Sequence, residues 1–234
     1  MAGLRSHFQT GWIDRLPEKV RQEVRDNMSR IDLAKGQSLY LEGDVVAGIY
    51  EIRAGKIKLS SIGYSGKEMT LTICLPPVTL GDVSLVTGTP SIFSAYATQD
   101  TELGLLDREC FERLRNKHPQ INEILLKSVC YRQTWMLKVL QDSAILSIES
   151  RLAKRLQTLA YSIGTPIGSD AQSAKSIKVP IKQDELSTML GVSRQTINQL
   201  LNDWESLGFV ALVYGAVVIN DSQLLTDLIE HSDS

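Results

Sequence analysis

Residues 181–210 read IKQDELSTMLGVSRQTINQLLNDWESLGFV, and this stretch decides the architecture of the C-terminal part of the chain. Apolar residues three and four apart predict a first helix over about Gln183–Leu190 and a second over about 194–207. Between them stands Gly191-Val192-Ser193. Gly191 can take the left-handed conformation that a tight interhelical turn demands, and Ser193 offers a hydroxyl to cap the second helix. Val192 plugs the angle between the helices, with Leu186, Leu190, Ile197 and Leu201 as their shared core. What remains exposed at the start of the second helix is Arg194, Gln195, Asn198 and Gln199, side chains long and polar enough to reach base edges in a major groove. An ordinary helical hairpin also has a polar outer face, but it seldom combines the small turn, the cap and this row. Residues 209–213, the turn at Tyr214-Gly215 and residues 216–219 then alternate like a hairpin, so the whole reads as a winged helix-turn-helix. One residue fits poorly: Lys182 stands where a capping Ser, Thr or Asp is usual, at a cost of about 1 kcal/mol.

Immediately upstream, residues 164–176 are rich in Gly, Ser and Ala and read as a solvent loop. Ser147 is the expected N-cap of a helix over 148–162 that carries Leu152, Leu156 and Leu159 on one face, which makes 143–147 a candidate hinge. Another helical stretch opens at Asp107-Arg108-Glu109-Cys110 and restarts at Pro119; no further Gly or Pro appears before Gly164. Along it Ile121, Leu125, Val129, Met136 and Leu140 draw one apolar stripe, widened by Ile124, Trp135 and Val139. A helix over 119–144 is roughly 39 Å long at 1.5 Å per residue. Packing on the chain's own barrel covers part of such a stripe, and a second copy of the same helix covers the rest. The stripe is therefore expected to form the interface of a parallel homodimer.

From about 31 to 107 the chain reads as short strands, SLYLE, GIYEIR, KIKLSSI, MTLTICL, IFSAYAT and ELGLL. The breaks are Glu42-Gly43-Asp44, Ala54-Gly55, Tyr64-Ser65-Gly66, Pro76-Pro77 and Gly81-Asp82. This spacing predicts a compact barrel or sandwich. A short helix from Pro17 through Val20 and Val24 precedes it.

Composition bounds the function. The 234 residues are 43% hydrophobic and 22% charged, as in a folded chain. No run approaches the roughly 20 apolar residues of a membrane span, and MAGLRSHFQTGW lacks the apolar core of a secretory signal, so a cytoplasmic protein is expected. A net charge of −2 neither supports nor excludes a nucleic-acid partner, because a small basic surface can sit on a neutral molecule. Cys74, Cys110 and Cys130 offer no disulfide framework, no CxxC pair and no zinc knuckle, and read as reduced thiols packed as small hydrophobes. There is no metal-binding motif, no glycine-rich phosphate loop, no HExxH and no Ser/His/Asp set with a recognisable context, which argues against an enzyme.

The chain resembles the Crp/Fnr family of bacterial transcription regulators. The likeness rests on Leu39-Tyr-Leu-Glu-Gly-Asp44, Gly48-Ile-Tyr-Glu-Ile-Arg-Ala-Gly-Lys-Ile-Lys58, Gly66-Lys-Glu-Met69, Gly81-Asp82, Arg151-Leu-Ala153 and Gly191-Val-Ser-Arg-Gln-Thr196, in this order and spacing. It implies an α+β fold: an N-terminal double-stranded β-helix (a β-roll or jelly roll), a long dimerisation helix and a C-terminal winged helix-turn-helix. The implied division is an effector-sensing domain over 1–118, dimer helix and hinge over 119–146, and a DNA-binding domain over 147–234. The implied function is effector-controlled binding to double-stranded promoter DNA, with RNA polymerase as a candidate partner. A regulatory subunit acting by protein contacts is the alternative, against which the intact recognition row speaks.

The resemblance also places residues. In cyclic-AMP-binding relatives a Gly-Glu pair and a later Arg before a small hydroxyl residue hold the ribose and the phosphate. Here these positions are Gly81-Asp82 and Phe93-Ser94, and the two hydroxyl residues that touch the base from the dimer helix align with Met136 and Leu137. Phe cannot pair with a phosphate, which argues against cyclic AMP. No N-terminal cysteine cluster is present for an iron–sulfur centre, and His7, His118 and His231 show no grouping that would ligate haem. The pocket expected around Leu71, Gly81, Asp82, Val83, Ser84, Phe93, Ser94, Met136 and Leu137 leaves open another nucleotide such as cyclic di-GMP, a small metabolite, or no ligand. On DNA, Arg194 matches a recognition Arg of catabolite-activator-type proteins. Those relatives carry Glu at the place of Gln195 and Arg at that of Gln199, so the half-site should differ from theirs. Lys178, Lys182, Ser193, Thr196 and the helix's amino end are expected to hold phosphates. A twofold dimer implies a pseudo-palindromic site with half-sites roughly 34–36 Å apart.

Overall fold

The computed structural model describes residues 11–167, 176–220 and 226. The chain divides into two compact units, Met1–Leu137 and Lys138–Ser234. A single 3-10 turn, Trp12–Arg15, leads into helix α1 (Glu18–Asp26), whose apolar Val20 and Val24 are buried. Strands β1 (Ser29–Leu33), β2 (Ser38–Tyr40), β3 (Gly48–Ala54), β4 (Ile57–Ile62), β5 (Glu68–Cys74) and β6 (Thr79–Leu80) follow. Next come a short helix α2 (Asp82–Thr87), strands β7 (Ser94–Ala97) and β8 (Thr101–Asp107), and helix α3 (Arg108–Lys117). Two four-stranded antiparallel sheets result, ordered β1-β8-β3-β6 and β2-β7-β4-β5. This is the expected jelly roll. β1, β6 and α2 are elements that the sequence pattern did not single out.

The core explains the order of elements. Ile49, Ile52, Ile57, Leu103 and Leu106 point inward from the strands, while Trp12, Val24, Phe111 and Leu114 close the fold from the helices. Glu51 is buried on β3, and its carboxylate accepts from Arg25 Nε and Nη2, the latter at 2.6 Å; the same guanidinium reaches Asp14 at 2.6 Å. That pairing satisfies an otherwise costly buried charge and ties α1 to the sheet. Asp107 caps α3 by accepting the Cys110 N–H at 2.8 Å.

The long helix α4 (Gln120–Ile145) crosses from one unit's residues into the other's. The second unit continues with α5 (Ile148–Ile163), β9 (Thr165–Ile167), β10 (Ser176–Val179), α6 (Gln183–Leu190), α7 (Arg194–Ser206), β11 (Val210–Val213) and β12 (Ala216–Ile219). Ser147 caps α5 as expected, accepting the Ser150 N–H at 3.1 Å. The expected wing is there, but it belongs to a larger antiparallel sheet ordered β11-β12-β10-β9. The stretch 164–176 is thus corrected: 165–167 and 176 are strand, because β9 pairs with β10, Ser176 standing opposite Ile167, and 168–175 lie outside the described residues. Among the described residues no helix is long and apolar enough to cross a membrane.

Candidate nucleic-acid interface and effector site

The turn between α6 and α7 is built as the sequence requires. Gly191 has φ of 71°, open to glycine without strain, and the Val192 N–H donates to the Ser187 carbonyl at 3.1 Å. Ser193 Oγ then accepts the Thr196 N–H at 3.0 Å and starts α7. Leu186, Leu190, Ile197 and Leu201 are buried between the helices. Trp204, which sequence reasoning passed over, completes this core and donates from Nε1 to Glu149 at 2.9 Å. The weak cap at Lys182 has a remedy one turn on: the Lys182 backbone N–H donates to the Glu185 carboxylate at 2.9 Å. A Glu at the third helical position is the signal that announces this. At the other end of α6, Arg151 Nη2 donates to the Leu190 carbonyl at 2.8 Å, placing a cation on the helix's negative end.

Arg194, Gln195, Asn198 and Gln199 are all exposed on α7, as expected. They are not equally free. Arg194 Nε lies 3.2 Å from Asp184 Oδ1. Asn198 donates to Gln183 Oε1 at 3.0 Å and accepts from Asn202 at 2.9 Å, while Gln199 donates to Asp203 at 2.9 Å. Thr196 and Ser193 spend their hydroxyls on each other, 2.8 Å apart, and on the cap. Lys182 at the head of α6 and Lys178 on β10 are exposed cations.

In the jelly roll, Gly81 and Asp82 open α2. Gly81 has φ of 82°, and a Cβ there would lie 2.5 Å from the Gly48 carbonyl oxygen, so no other residue fits. Asp82 is 3% exposed. Its Oδ1 accepts the Val83 N–H at 2.8 Å, and its Oδ2 accepts from Arg132 Nη2 at 2.7 Å. Arg132, on α4, is the one residue of this site that the sequence reading missed altogether. Around the pair stand Tyr40 and Cys74, whose ionisations are both pushed up by burial, Cys74 to about 12, with the Arg132 charge pulling each the other way. Native Cys74 should therefore resist iodoacetamide at pH 8 and become alkylated only on unfolding, as read by peptide mass spectrometry.

The other expected pocket residues are spread more widely. Leu71 and Ser84 are half-buried and Val83 is exposed. Ser94 Oγ is occupied by the Glu42 N–H at 2.9 Å, and Phe93 is half-buried beside it. Met136 and Leu137 lie exposed on α4, about one turn beyond Arg132. Phe93 carries no charge, and the Arg132 guanidinium is paired with Asp82.

Residues 30–118 match the cyclic nucleotide-binding domain family, and residues 150–228 match the Crp-like helix-turn-helix domain family. The chain belongs to the Crp/Fnr family of transcription regulators. It is 29% identical over 195 residues to the CRP-like cAMP-activated global transcriptional regulator of Mycobacterium tuberculosis, covering 83% of this chain and 85% of that one. It is 24% identical to the fumarate nitrate reduction regulatory protein of Klebsiella oxytoca, over 91% of this chain and 85% of that one. A solved CRP/FNR-family regulator from Thermus thermophilus shares the fold with a TM-score of 0.71 at 18% identity, over 87% of this chain and all of that one. This Crp/Fnr protein is thus a regulator with an effector-type domain and a helix-turn-helix domain.

The long helix of the regulator corrects one expectation. Ile121 and Leu125 are buried in the chain's own core, and Val129 packs against it, so these three do not belong to a dimer seam. They share one face of α4 with Arg132, and the jelly roll covers that face. The exposed apolar residues lie on the adjacent flank, roughly 100° around the helix: Leu126 (63% exposed), Leu137 (58%) and Leu140 (65%). Together with Cys130, Gln133 and Ala144, all exposed, they repeat at intervals of four and three residues. That is a heptad spacing.

Proposed function

We propose that this regulator binds double-stranded promoter DNA as a homodimer at a pseudo-palindromic site, and that the effector of its jelly roll is not cyclic AMP. The observation that carries the DNA reading is the exposed row Arg194, Gln195, Asn198 and Gln199 on a helix capped by Ser193. Arg194 supplies a fork for guanine and Gln195 an amide for adenine. Lys178, Lys182 and the amino end of α7 supply phosphate contacts that set register. Such a protein works in the cytoplasm beside the chromosome, with RNA polymerase as its further partner.

Homodimerisation is supported by the exposed row Leu126, Cys130, Gln133, Leu137, Leu140 and Ala144, which the core cluster does not cover among the described residues. A polar Gln133 inside it favours a single register. Beyond Lys127, which is paired with Glu123 on its own helix, the flanking residues Val129, Thr134, Met136, Gln141 and Ser143 bear no charge. Two parallel copies therefore meet with little repulsion. Against cyclic AMP stands the charge inventory: one buried carboxylate, one guanidinium already bound to it, and Phe93 where the resemblance implies a phosphate-binding Arg.

Four measurements test this reading. Selection from a random duplex pool should enrich a site with dyad symmetry; enrichment of an asymmetric site overturns the dimeric mode. Mild oxidation with copper phenanthroline should link two chains through Cys130, and Leu137→Glu should yield monomers in sedimentation. Calorimetric titration with cyclic AMP should give no heat of binding at micromolar protein, and saturable heat would remove that part of the reading.

A further inference from the structure

We propose that Asp184 is a specificity-determining residue of the regulator, which positions Arg194 for guanine and keeps it off the phosphate backbone. This rests on the reading of Arg194 as the guanine contact given above. Asp184 is the second residue of α6, and Arg194 is the first of α7. The carboxylate approaches the guanidinium through Nε, with Oδ1 at 3.2 Å. A carboxylate held at Nε leaves the two terminal nitrogens, the fork that pairs with O6 and N7 of guanine, available to a base. Both side chains are well exposed, at 68% for Arg194 and 61% for Asp184. An exposed pair of this kind contributes little to folding stability, so its value must be sought in what it does to binding.

The neighbouring contact points the same way. Gln183, the residue before Asp184, accepts from Asn198 on α7 at 3.0 Å. The first turn of α6 therefore holds two members of the recognition row at once. Asp184 differs from Gln183 in carrying a negative charge at a surface that must approach polyphosphate. Such a charge repels non-specific duplex, which is bound almost wholly through phosphates. A guanine base, offering neutral acceptors, escapes most of this repulsion. The carboxylate thus restricts Arg194 to the one partner that carries sequence information, at the expense of overall affinity.

The test uses the full-length protein and the duplex enriched by selection, a version with the guanine facing Arg194 replaced in both half-sites, and a scrambled duplex. Fluorescence anisotropy is read for the wild type, Asp184→Ala, Asp184→Asn, Arg194→Ala and the double variant Asp184→Ala/Arg194→Ala. Asp184→Ala and Asp184→Asn should each bind the scrambled duplex more tightly, with a steeper salt dependence, and lose about five- to tenfold of the discrimination against the replaced guanine. Asp184→Asn keeps the size and the helix start, so its agreement with Asp184→Ala separates charge from folding. In the Arg194→Ala background, removing Asp184 should leave base preference unchanged. Unaltered discrimination in both Asp184 variants, alongside its loss in Arg194→Ala, would overturn the role of Asp184 and leave the guanine contact standing. Full discrimination retained by Arg194→Ala would instead sink the guanine reading on which the inference rests.

Discussion

Arg194→Ala is expected to leave a folded protein that distinguishes its operator from other duplexes far less well. The side chain is exposed, and α7 begins with it, so truncation removes no core contact, and alanine is the best helix former. What disappears is a bidentate guanine contact worth about 1–3 kcal/mol of discrimination. A twofold dimer loses it twice, so operator affinity should fall by about 2–6 kcal/mol while binding to scrambled duplex changes little. Gel shifts at one fixed salt concentration, with both duplexes side by side, read this directly. An unchanged ratio between the two would show that α7 does not read bases through this residue.

The second large effect is expected inside the jelly roll. Arg132→Met removes the partner of Asp82, a carboxylate 3% exposed. Removing one member of a buried pair costs about 3–5 kcal/mol, because the remaining charge is left uncompensated. Arg132 is itself partly solvated, which places the expected loss at the lower end of that range. Adding Asp82→Asn to Arg132→Met should restore most of the stability, since an amide needs no counter-charge. Hydrogen exchange in β3 and β8 under increasing urea reports on this unit alone, apart from the helix-turn-helix. If Arg132→Met and the wild type exchange alike, the pair has no energetic weight.

The two sites differ in how far they could be read in advance. The turn and both helix bounds around Gly191 and Ser193 were legible because each signal acts within four residues of its effect. The strands were legible for the same reason, through the turns at Gly43, Gly55 and Gly66. Arg132 was not, since its partner lies fifty residues away and nothing local marks a charged residue on a helix as one that turns inward. Glu185 is announced by its place three residues after the cap, whereas nothing local marks Asp184 as the partner of Arg194 ten residues on. The stripe on α4 failed in an instructive way. Ile121 and Leu125 are apolar at helical spacing, and periodicity cannot say whether such residues meet the same chain or another one. Apolar residues ring much of this helix, and only their accessibility separates the two sets.

That separation has a mechanical consequence. Along α4, Ile121, Leu125 and Arg132 are fixed to the jelly roll on one flank, while Leu126, Leu137 and Leu140 lie exposed on the next. A rod held by the jelly roll along one flank and, in a homodimer, by its twin along the next could not roll about its axis to improve one grip without loosening the other. In such a dimer, displacement of Arg132 from Asp82 would be felt as a twist at the neighbouring flank where the twin chain would sit.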